Sequence, residues 1–514
     1  MVSASENNKR IAKNTLVLYF RMFFQMVVSL YTSRVILNAL GVEDFGIYNV
    51  VGGLVAMFSI VSGAINVAIS RFLTFELGKK DQQKLNVVFS SAVIIQLIMC
   101  CIVILLAETI GLWFLNNHMT FPYERSFATN VIYQLSIVTF CISLLSLPYN
   151  SAIIAHEKMT AFAYVSIFET LAKLALALVI PLYVGDKLIF FSFFLVVVSL
   201  MVRIVYGVYC KRHFEECRAK WQFDKRVLKD MFTYAGWTYI GASSALLRDA
   251  GGNVLINIFY GPLANAARGI GVQVQHAVYM FAQNFMTALN PQITKNYAAG
   301  NYEYMKYLIF NGSRISYYMM LLLSMPIILN THYILILWLK QSPQYTVTFV
   351  QLALLFVISE SISNPLVTSA SASGKIMKYQ LLVGGLQSMN FPVSWLFLFL
   401  GYPPYVTFAV AIIISQLCLA GRLYILRGMI SLSARQFLIK VYFNIALVTI
   451  VALILPIIVQ YNITETFESF ILSCLVCLIS TSFAIYFVGC SREERIFVRE
   501  KIKKCYFKYR RKIK

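Results

Sequence analysis

The sequence predicts an all-α fold: a polytopic membrane protein of about fourteen transmembrane helices, arranged as two pseudo-symmetric six-helix lobes plus two extra helices. Three observations carry this prediction. The 514 residues are 59% hydrophobic and only 13% charged, whereas a soluble protein has about 25% charged residues. Apolar runs of about twenty residues, the length that spans a hydrocarbon core, recur along the whole chain. A faint internal repeat relates the two halves.

The apolar runs fall into three groups along the chain. The first half contains six, at 15–40, 46–70, 86–114, 127–155, 163–184 and 188–209. The second half contains six more, at 231–258, 263–290, 307–329, 345–370, 379–400 and 405–426. Two further runs follow at 441–460 and 469–489. A shorter run at 334–339 cannot span a bilayer and predicts an interfacial helix.

The orientation follows from the positive charges. If the N-terminus is cytoplasmic, the inner loops and tails hold 32 of the 44 Lys and Arg residues, and the outer loops hold three. Seven of the 32 lie in 210–230 and eleven in 490–514. Cytoplasmic loops carry an excess of Lys and Arg, so both termini are predicted to be cytoplasmic. The same rule explains the net charge of +22, and no nucleic-acid partner is predicted.

Two pairs of short sequences suggest the repeat. "GVED" (41–44) has a counterpart in "GPLAN" (261–265), and "GKKDQQKLNVVF" (78–89) in "GNYEYMKYLIF" (300–310). An offset of six spans preserves orientation, so the repeat would be parallel. The predicted domains are an N-lobe, a basic cytoplasmic linker, a C-lobe, and two further helices with a basic cytoplasmic tail. Their boundaries are 1–209, 210–230, 231–427 and 428–514.

The motifs of the common enzyme classes are absent from the sequence. It contains no G-x-x-x-x-G-K-S/T, no H-E-x-x-H and no G-x-S-x-G. The five histidines are dispersed, and no predicted loop is long enough for a nucleotide-hydrolysing domain. We predict no catalytic constellation, no metal site and no cofactor. The chain is predicted to be a carrier rather than an enzyme.

Polar stripes run along three of the predicted spans. On the first helix, Asn14, Arg21, Gln25, Ser29 and Thr32 fall within an arc of about 80°. On the eighth, the shared arc contains Arg268, Gln275, Tyr279, Gln283 and Asn290; on the seventh, Arg248 aligns with Gly241, Ser244, Gly251 and Gly252. Lipid offers such groups no partners, so they must face protein or a water-filled cavity. The candidate substrate-binding residues are therefore Arg21, Gln25, Arg248, Arg268, Gln275, Tyr279 and Gln283.

Several charged residues also have structural interpretations. Arg34 lies on a different face from Arg21 and is expected to cap the helix, to snorkel near the outer side, or to hold the tight turn before "GVEDFG". Arg248 could pair with an acid of a neighbouring helix, and its Gly/Ser face could serve close helix packing. Glu169 and Lys173 are spaced i, i+4 and are predicted to form a structural ion pair. A larger group, Arg203, Arg314 and Arg422, lies near inner helix ends and can snorkel.

Two acids are the candidates for gating or coupling. Glu360, just before "SISNPL", has no obvious local partner in the sequence, and Asp249 is the neighbour of Arg248. Counting Arg71, one residue beyond the second span, the spans hold nine Lys and Arg residues against four acids. That balance favours an anionic substrate. Arginine offers a planar fork of donors that fits phosphate oxygens, and amide and tyrosine side chains suit sugar hydroxyls.

Three segments of the sequence resemble a known family. "SRVILNALGVEDFGIYNVVGGLVAMFSIVSGAINVAISRFLTFELGK" (33–79), "YILILWLKQSPQYTVTFVQLALL" (333–355) and "SASGKIMKYQLLVGG" (371–385) resemble Wzx-type flippases of lipid-linked oligosaccharide repeat units. The resemblance implies two six-helix lobes that rock between inward- and outward-open states around a cationic cavity. Arg21 and Arg268 match positions where such flippases place cavity arginines. The implied location is the bacterial cytoplasmic (inner) membrane.

The function that this resemblance implies is flipping of an undecaprenyl-diphosphate-linked oligosaccharide. The implied partners are that substrate, membrane lipids and other polysaccharide assembly proteins. One alternative is a MATE-like exporter, although a cation exporter should have an acidic cleft. Another is a membrane glycan polymerase or ligase, which usually has a large outer loop, whereas no predicted outer loop here exceeds 17 residues. The sequence leaves open whether Na+ or H+ drives transport.

Overall fold

Apolar segments of this length fold into helices because a helix satisfies its own backbone groups, which lipid cannot do. The computed structural model of the protein describes residues 4–56, 58–118, 123–218, 222, 224–339, 344–461, 466–492, 494–496 and 499. Within these ranges all regular secondary structure is helical, and no strand is present. The all-α prediction is confirmed.

The helices of the first half follow the predicted runs closely. In chain order they are α1 Ala4–Ala56, α2 Ser59–Lys79, α3 Gln82–Leu106, α4 Leu112–His118, α5 Ser126–Ala155, α6 Met159–Val179 and α7 Lys187–His213. A π-helical turn, Ala107–Gly111, joins α3 to α4, and a 3-10 turn, Ile180–Leu182, extends α6.

The second half begins with the longest helix, α8. The helices are α8 Lys225–Ala298, α9 Tyr302–Leu329, α10 Thr331–Leu339, α11 Thr346–Ser361, α12 Asn364–Ala372, α13 Met377–Tyr379, α14 Gly385–Ser388, α15 Asn390–Phe399, α16 Val406–Ile430, α17 Ala434–Phe437, α18 Asn444–Tyr461 and α19 Phe467–Ala484. The π-helical segments Gln380–Gly384, Leu438–Phe443 and Ile485–Gly489 connect or extend some of them. The short α10 occupies the run predicted to be an interfacial helix.

Within the described ranges, ten helices are long and apolar enough to cross a membrane. The number is eleven if α11 and α12, which meet at an angle of 41°, form one broken span. The protein is therefore a multi-pass membrane protein. The predicted span 46–70 is divided between α1 and α2, and the predicted spans 231–258 and 263–290 both lie in α8; none of the three is among the ten. The total of fourteen stays a prediction.

Glycine breaks two of the long helices at corresponding places. Gly41 in α1 has φ 83° and ψ 169°, and Gly261 in α8, 220 residues later, has φ 74° and ψ −174°. A side chain strongly disfavours positive φ, so glycine is the residue that permits each break. Lys80 (φ 59°) and Gly300 (φ 72°) are also 220 residues apart and follow the ends of α2 and α8. These backbone breaks recur at the offset of the predicted repeat.

The chain divides into two compact units. The first comprises 1–242, 287–301 and 371–380, and the second comprises 243–286, 302–370 and 381–514. The end of α8 thus belongs to the first unit, although most of the part of α8 that follows Gly261 belongs to the second unit. The predicted lobe and linker boundaries differ from these and stay a prediction. Residues 219–221 and 223 of the linker, and the basic tail beyond 499, lie outside the described residues.

The cores of the units consist of small and branched side chains packed between helices. In the first unit, Ile69, Ala92 and Ile153 are completely buried where α2, α3 and α5 meet. In the second unit, Ala282, Met320 and Leu354 are completely buried where α8, α9 and α11 meet. These interfaces hold the polar faces described below in place.

The predicted orientation can be tested at the two ends of α7. Val184 is fully exposed in the turn before α7, and Lys211 is exposed in its last turn. A single cysteine at Val184, in a variant without the native cysteines, should react with a membrane-impermeant maleimide on intact cells. A single cysteine at Lys211 should react only after permeabilisation. If intact cells were labelled at position 211 and not at position 184, the orientation would be the opposite of the predicted one.

Candidate functional site

In the first unit, a polar face lies where α1 packs on α6. The Arg21 guanidinium stacks on the Phe162 ring, 4.4 Å from its centroid. One turn further, the Gln25 amide donates to Thr170 Oγ1 at 3.3 Å and to the Ser166 carbonyl at 3.5 Å. The Nε of Arg21 is buried and has no hydrogen-bond partner among the described residues. The structure thus places both predicted residues of α1 on one face.

The predicted ion pair lies on the same helix as the partners of Gln25. Lys173 Nζ donates to Glu169 Oε1 at 2.6 Å, and the side chains are 44% and 37% exposed. Charged groups exposed within a membrane span face a water-filled cavity rather than lipid. This face of α6 is therefore expected to meet protein or water rather than lipid. The contact is present as expected, and its structural role stays a prediction.

A second polar cluster lies in the second unit, on α8. Arg248 Nε and Nη2 donate to Asp249 Oδ1 and Oδ2 at 2.9 and 3.0 Å, and the guanidinium lies 4.9 Å from the Phe356 ring centroid. The acid partner of Arg248 is thus the adjacent residue rather than one on a neighbouring helix. Arg268, only 4% exposed, donates to Asn253 and lies over Phe408.

The two arginines line one pocket. Its walls are Arg248, Asp249, Gly252, Leu255, Arg268, Phe356, Asn390, Phe391, Ser394, Thr407, Phe408 and Ala411. The cavity between them has a volume of about 20 Å³. In this conformation the pocket holds water-sized molecules and not a sugar.

Two polar side-chain atoms of the pocket lining have no hydrogen-bond partner among the described residues. They are Arg268 Nε and Asn390 Oδ1, and both are buried. Leaving such a group unpaired costs about 1–3 kcal/mol, and more if it is charged. An anion or water in the pocket would relieve this cost at Arg268.

Gly252 allows Arg268 to reach this position. A Cβ at residue 252 would stand 2.9 Å from Arg268 Nη2. The Gly/Ser stripe beside Arg248 therefore contributes close packing against an arginine of the same pocket.

The other predicted residues of α8 lie outside the pocket lining. Tyr279 Oη donates to Asn364 Oδ1 at 3.4 Å, and Gln275 has a buried Oε1 without a partner among the described residues. Gln283 is exposed. The structure brings Arg248, Asp249 and Arg268 together, and it leaves Gln275, Tyr279 and Gln283 further along the same helix.

Glu360 has no partner close to it in the sequence, as expected, but it has partners on another helix. Its carboxylate accepts from Arg422 Nη2 at 3.2 Å and from Ser415 Oγ at 2.8 Å. Arg422 is 2% exposed and paired with Glu360, so the interpretation that it can snorkel is wrong. Helical periodicity cannot show this pairing, because the two partners lie on different helices, α11 and α16. The only indication of this pairing in the sequence was that two predicted spans each contained one charged residue of opposite sign without an assigned partner.

Glu360 also lies beside the bend between α11 and α12. From it, hydrogen bonds continue through Ser415 to Ser359 at 3.3 Å, then to Gln416 and Tyr442. A buried ion pair one residue from a helix break can bias two arrangements of that break. Together the cluster has three arginines, 248, 268 and 422, against Asp249 and Glu360. The second unit thus has an excess of positive charge around a pocket, which suits an anion.

Two family models match the chain. A family model described as polysaccharide biosynthesis protein matches residues 11–301, more than half of the chain. A second, described as MatE, matches residues 252–396. No curated protein sequence matches the chain.

Solved structures show the fold. One is described as the outward-facing conformation of a multidrug resistance MATE family transporter of the MOP superfamily. It has a TM-score of 0.68 at 13% identity, over 83% of this chain and 96% of its own. The Vibrio cholerae MATE transporter VcmN in the bent form has a TM-score of 0.67 at 14% identity, over 86% of this chain and 100% of its own. The fold is that of MATE transporters.

The Glu360–Arg422 contact predicts a large stability effect. Replacing Arg422 with Met leaves a buried carboxylate unpaired, which should cost about 3–5 kcal/mol. Replacing Glu360 with Gln in the same protein should recover most of the loss. Arg427→Met, at an exposed position on the same helix, is the matched control and should change little. Thermal unfolding of the purified protein measures this, and equal Tm values for Arg422→Met and Arg427→Met would show that the pair does not stabilise the fold.

Proposed function

We propose that this chain, which belongs to the polysaccharide biosynthesis protein family of MOP-superfamily membrane transporters, flips an undecaprenyl-diphosphate-linked oligosaccharide. The substrate would pass from the inner to the outer leaflet of the bacterial cytoplasmic membrane, with both termini of the protein in the cytoplasm. The observation that carries this proposal is the excess of arginine within the membrane segments, in a family associated with polysaccharide biosynthesis. The substrate of such a carrier has an anionic diphosphate and a polar glycan.

The diphosphate is the part of this substrate that opposes membrane passage most strongly. A charged group in a hydrocarbon core is costly. Even on insertion scales, a charged side chain at the centre of a helix costs roughly 2.5 to 3.5 kcal/mol. Guanidinium groups replace the lost hydration with charge-assisted hydrogen bonds of bidentate geometry. Arg21 in the first unit and Arg248 and Arg268 in the second are the groups we assign to this task. The isoprenoid tail would stay in the bilayer throughout.

Transport also requires a change of conformation. The arginine pocket of the second unit admits only water-sized molecules in the conformation described. We therefore propose alternating access, with a second conformation in which the cationic cavity widens enough for proximal sugars. Glu360, with its partner Arg422 beside the bend between α11 and α12, is the residue we assign to that change.

Export of small molecules in the manner of MATE proteins is the second candidate. The match of the MatE model to residues 252–396 and the MATE fold favour it. The two candidates differ in the charge they require. A carrier of organic cations needs uncompensated acid in its cavity, whereas here Asp249 and Glu360 both have arginine partners.

The arginine assignments predict the phenotype of single substitutions. Arg21→Ala and Arg268→Ala should each abolish flipping, because the diphosphate loses its charge-assisted donors. Arg21→Lys should keep part of the activity, because the charge survives while the fork does not. The measurement is complementation of a flippase-null strain, normalised to the amount of protein in the membrane.

Arg34→Ala is the matched control for this experiment. Arg34 lies on the same helix as Arg21 but is exposed on another face. Its replacement should leave flipping per molecule unchanged. Full activity of Arg21→Ala at normal abundance would exclude Arg21 from the substrate path.

A further inference from the structure

Glu157 is a fully buried acid that no transport assignment above uses. It follows the end of α5, and its side chain is 1% exposed. One carboxylate oxygen accepts from Lys295 Nζ at 2.7 Å, and the other accepts from Gln292 Nε2 at 2.6 Å and forms an ion pair with Arg10 Nε at 2.8 Å. Three separate helix ends, those of α1, α5 and α8, therefore converge on one carboxylate within the first unit.

The donor set is larger than one carboxylate requires. Two cations and one amide surround a single negative charge, so the cluster keeps an excess positive charge. Arg10 is 45% exposed and Lys295 is 25% exposed, so an anion from solvent can reach both cations while Glu157 itself is enclosed. Burial lowers the pKa of Lys295, and the charge of Glu157 opposes that shift. Contact with any anion therefore favours the charged form of Lys295.

The backbone at Glu157 is in an unfavourable conformation. Its φ of 59° is uncommon for a residue with a side chain. Strain of this kind persists where the surroundings hold it, and it clusters at ligand clamps and switches. The same residue's carbonyl accepts from Asn14 of α1 at 3.4 Å. Loss of the carboxylate contacts would release both the strained turn and the two helices bound to it.

We propose that Arg10, Gln292 and Lys295 form a docking site for a diphosphate group, which Glu157 occupies until the substrate displaces it. This inference rests on the proposed function, because it takes the diphosphate of the flipped lipid as the ligand. All four residues lie outside the predicted spans, at the ends predicted to be cytoplasmic, where that lipid is delivered. Exchange of the carboxylate for the diphosphate forms new charge-assisted hydrogen bonds and frees α1 from the end of α8.

The first test measures binding of inorganic pyrophosphate to the full-length purified protein by calorimetry. Glu157→Gln removes the competing carboxylate and should tighten binding by roughly tenfold, the effect of about one charge-assisted hydrogen bond. Lys295→Met should weaken it by a similar factor. Glu303→Gln is the matched control, because Glu303 pairs with a single lysine, Lys306, at an exposed position, and it should leave the affinity unchanged.

The second test keeps Glu157 intact, so it remains decisive if the Glu157 variant does not fold. Thr294, beside Lys295, is 6% exposed. A cysteine there, in the protein without its native cysteines, should react with maleimide several-fold faster when pyrophosphate is added. The Lys295→Met background should abolish the acceleration.

The outcomes separate this site from the proposed function. If the wild type flips lipid-linked oligosaccharide but pyrophosphate neither binds more tightly to Glu157→Gln nor exposes residue 294, the docking site is overturned and the function stands. If both pyrophosphate effects occur but the wild type flips no such lipid, the site stands and its physiological ligand is another phosphate compound.

Discussion

The cost of charge in a low-dielectric environment governs the placement of every functional group in this protein. A charged side chain within a membrane span needs a partner, a ring face or water. Glu360 and Arg422 satisfy one another, whereas Arg21 rests on Phe162 and retains an unpaired Nε. Arg268 retains one as well. A buried donor without a hydrogen-bond partner has capacity left for a ligand, and this is one reason why Arg21 and Arg268 are proposed to bind the diphosphate.

The fold was largely predictable from the sequence because its determinant is local. Each span is a continuous apolar run, so hydropathy and length locate it without knowledge of its neighbours. The break at Gly41 was predictable as a short turn between two runs, and the structure adds the positive φ that requires glycine. The number of spans was less accessible. α8 combines two predicted spans whose polar stripes lower their hydropathy, which is the signature of residues that face protein or water.

The candidate site was predictable only in part, because side-chain pairing between helices is not local. Helical periodicity placed Arg21 and Gln25 on one face, and their partners lie together on α6. It could not show that Glu360 and Arg422, 62 residues apart, form an ion pair. The sequence analysis did not identify Glu157, because it lies in a turn, where helical periodicity does not indicate which way a side chain points. Its partners are also far from it in the sequence: Arg10 precedes it on α1, and Gln292 and Lys295 follow it at the end of α8.

The most direct test of the account is reconstitution of the purified protein in liposomes that contain undecaprenyl-diphosphate-linked oligosaccharide. The fraction of glycan accessible to an external lectin or glycosidase should rise with time in proteoliposomes. The increase should be absent with Arg268→Ala and in protein-free vesicles. Transport of an organic cation by the same proteoliposomes, with no change in glycan accessibility, would contradict the account and favour a drug exporter.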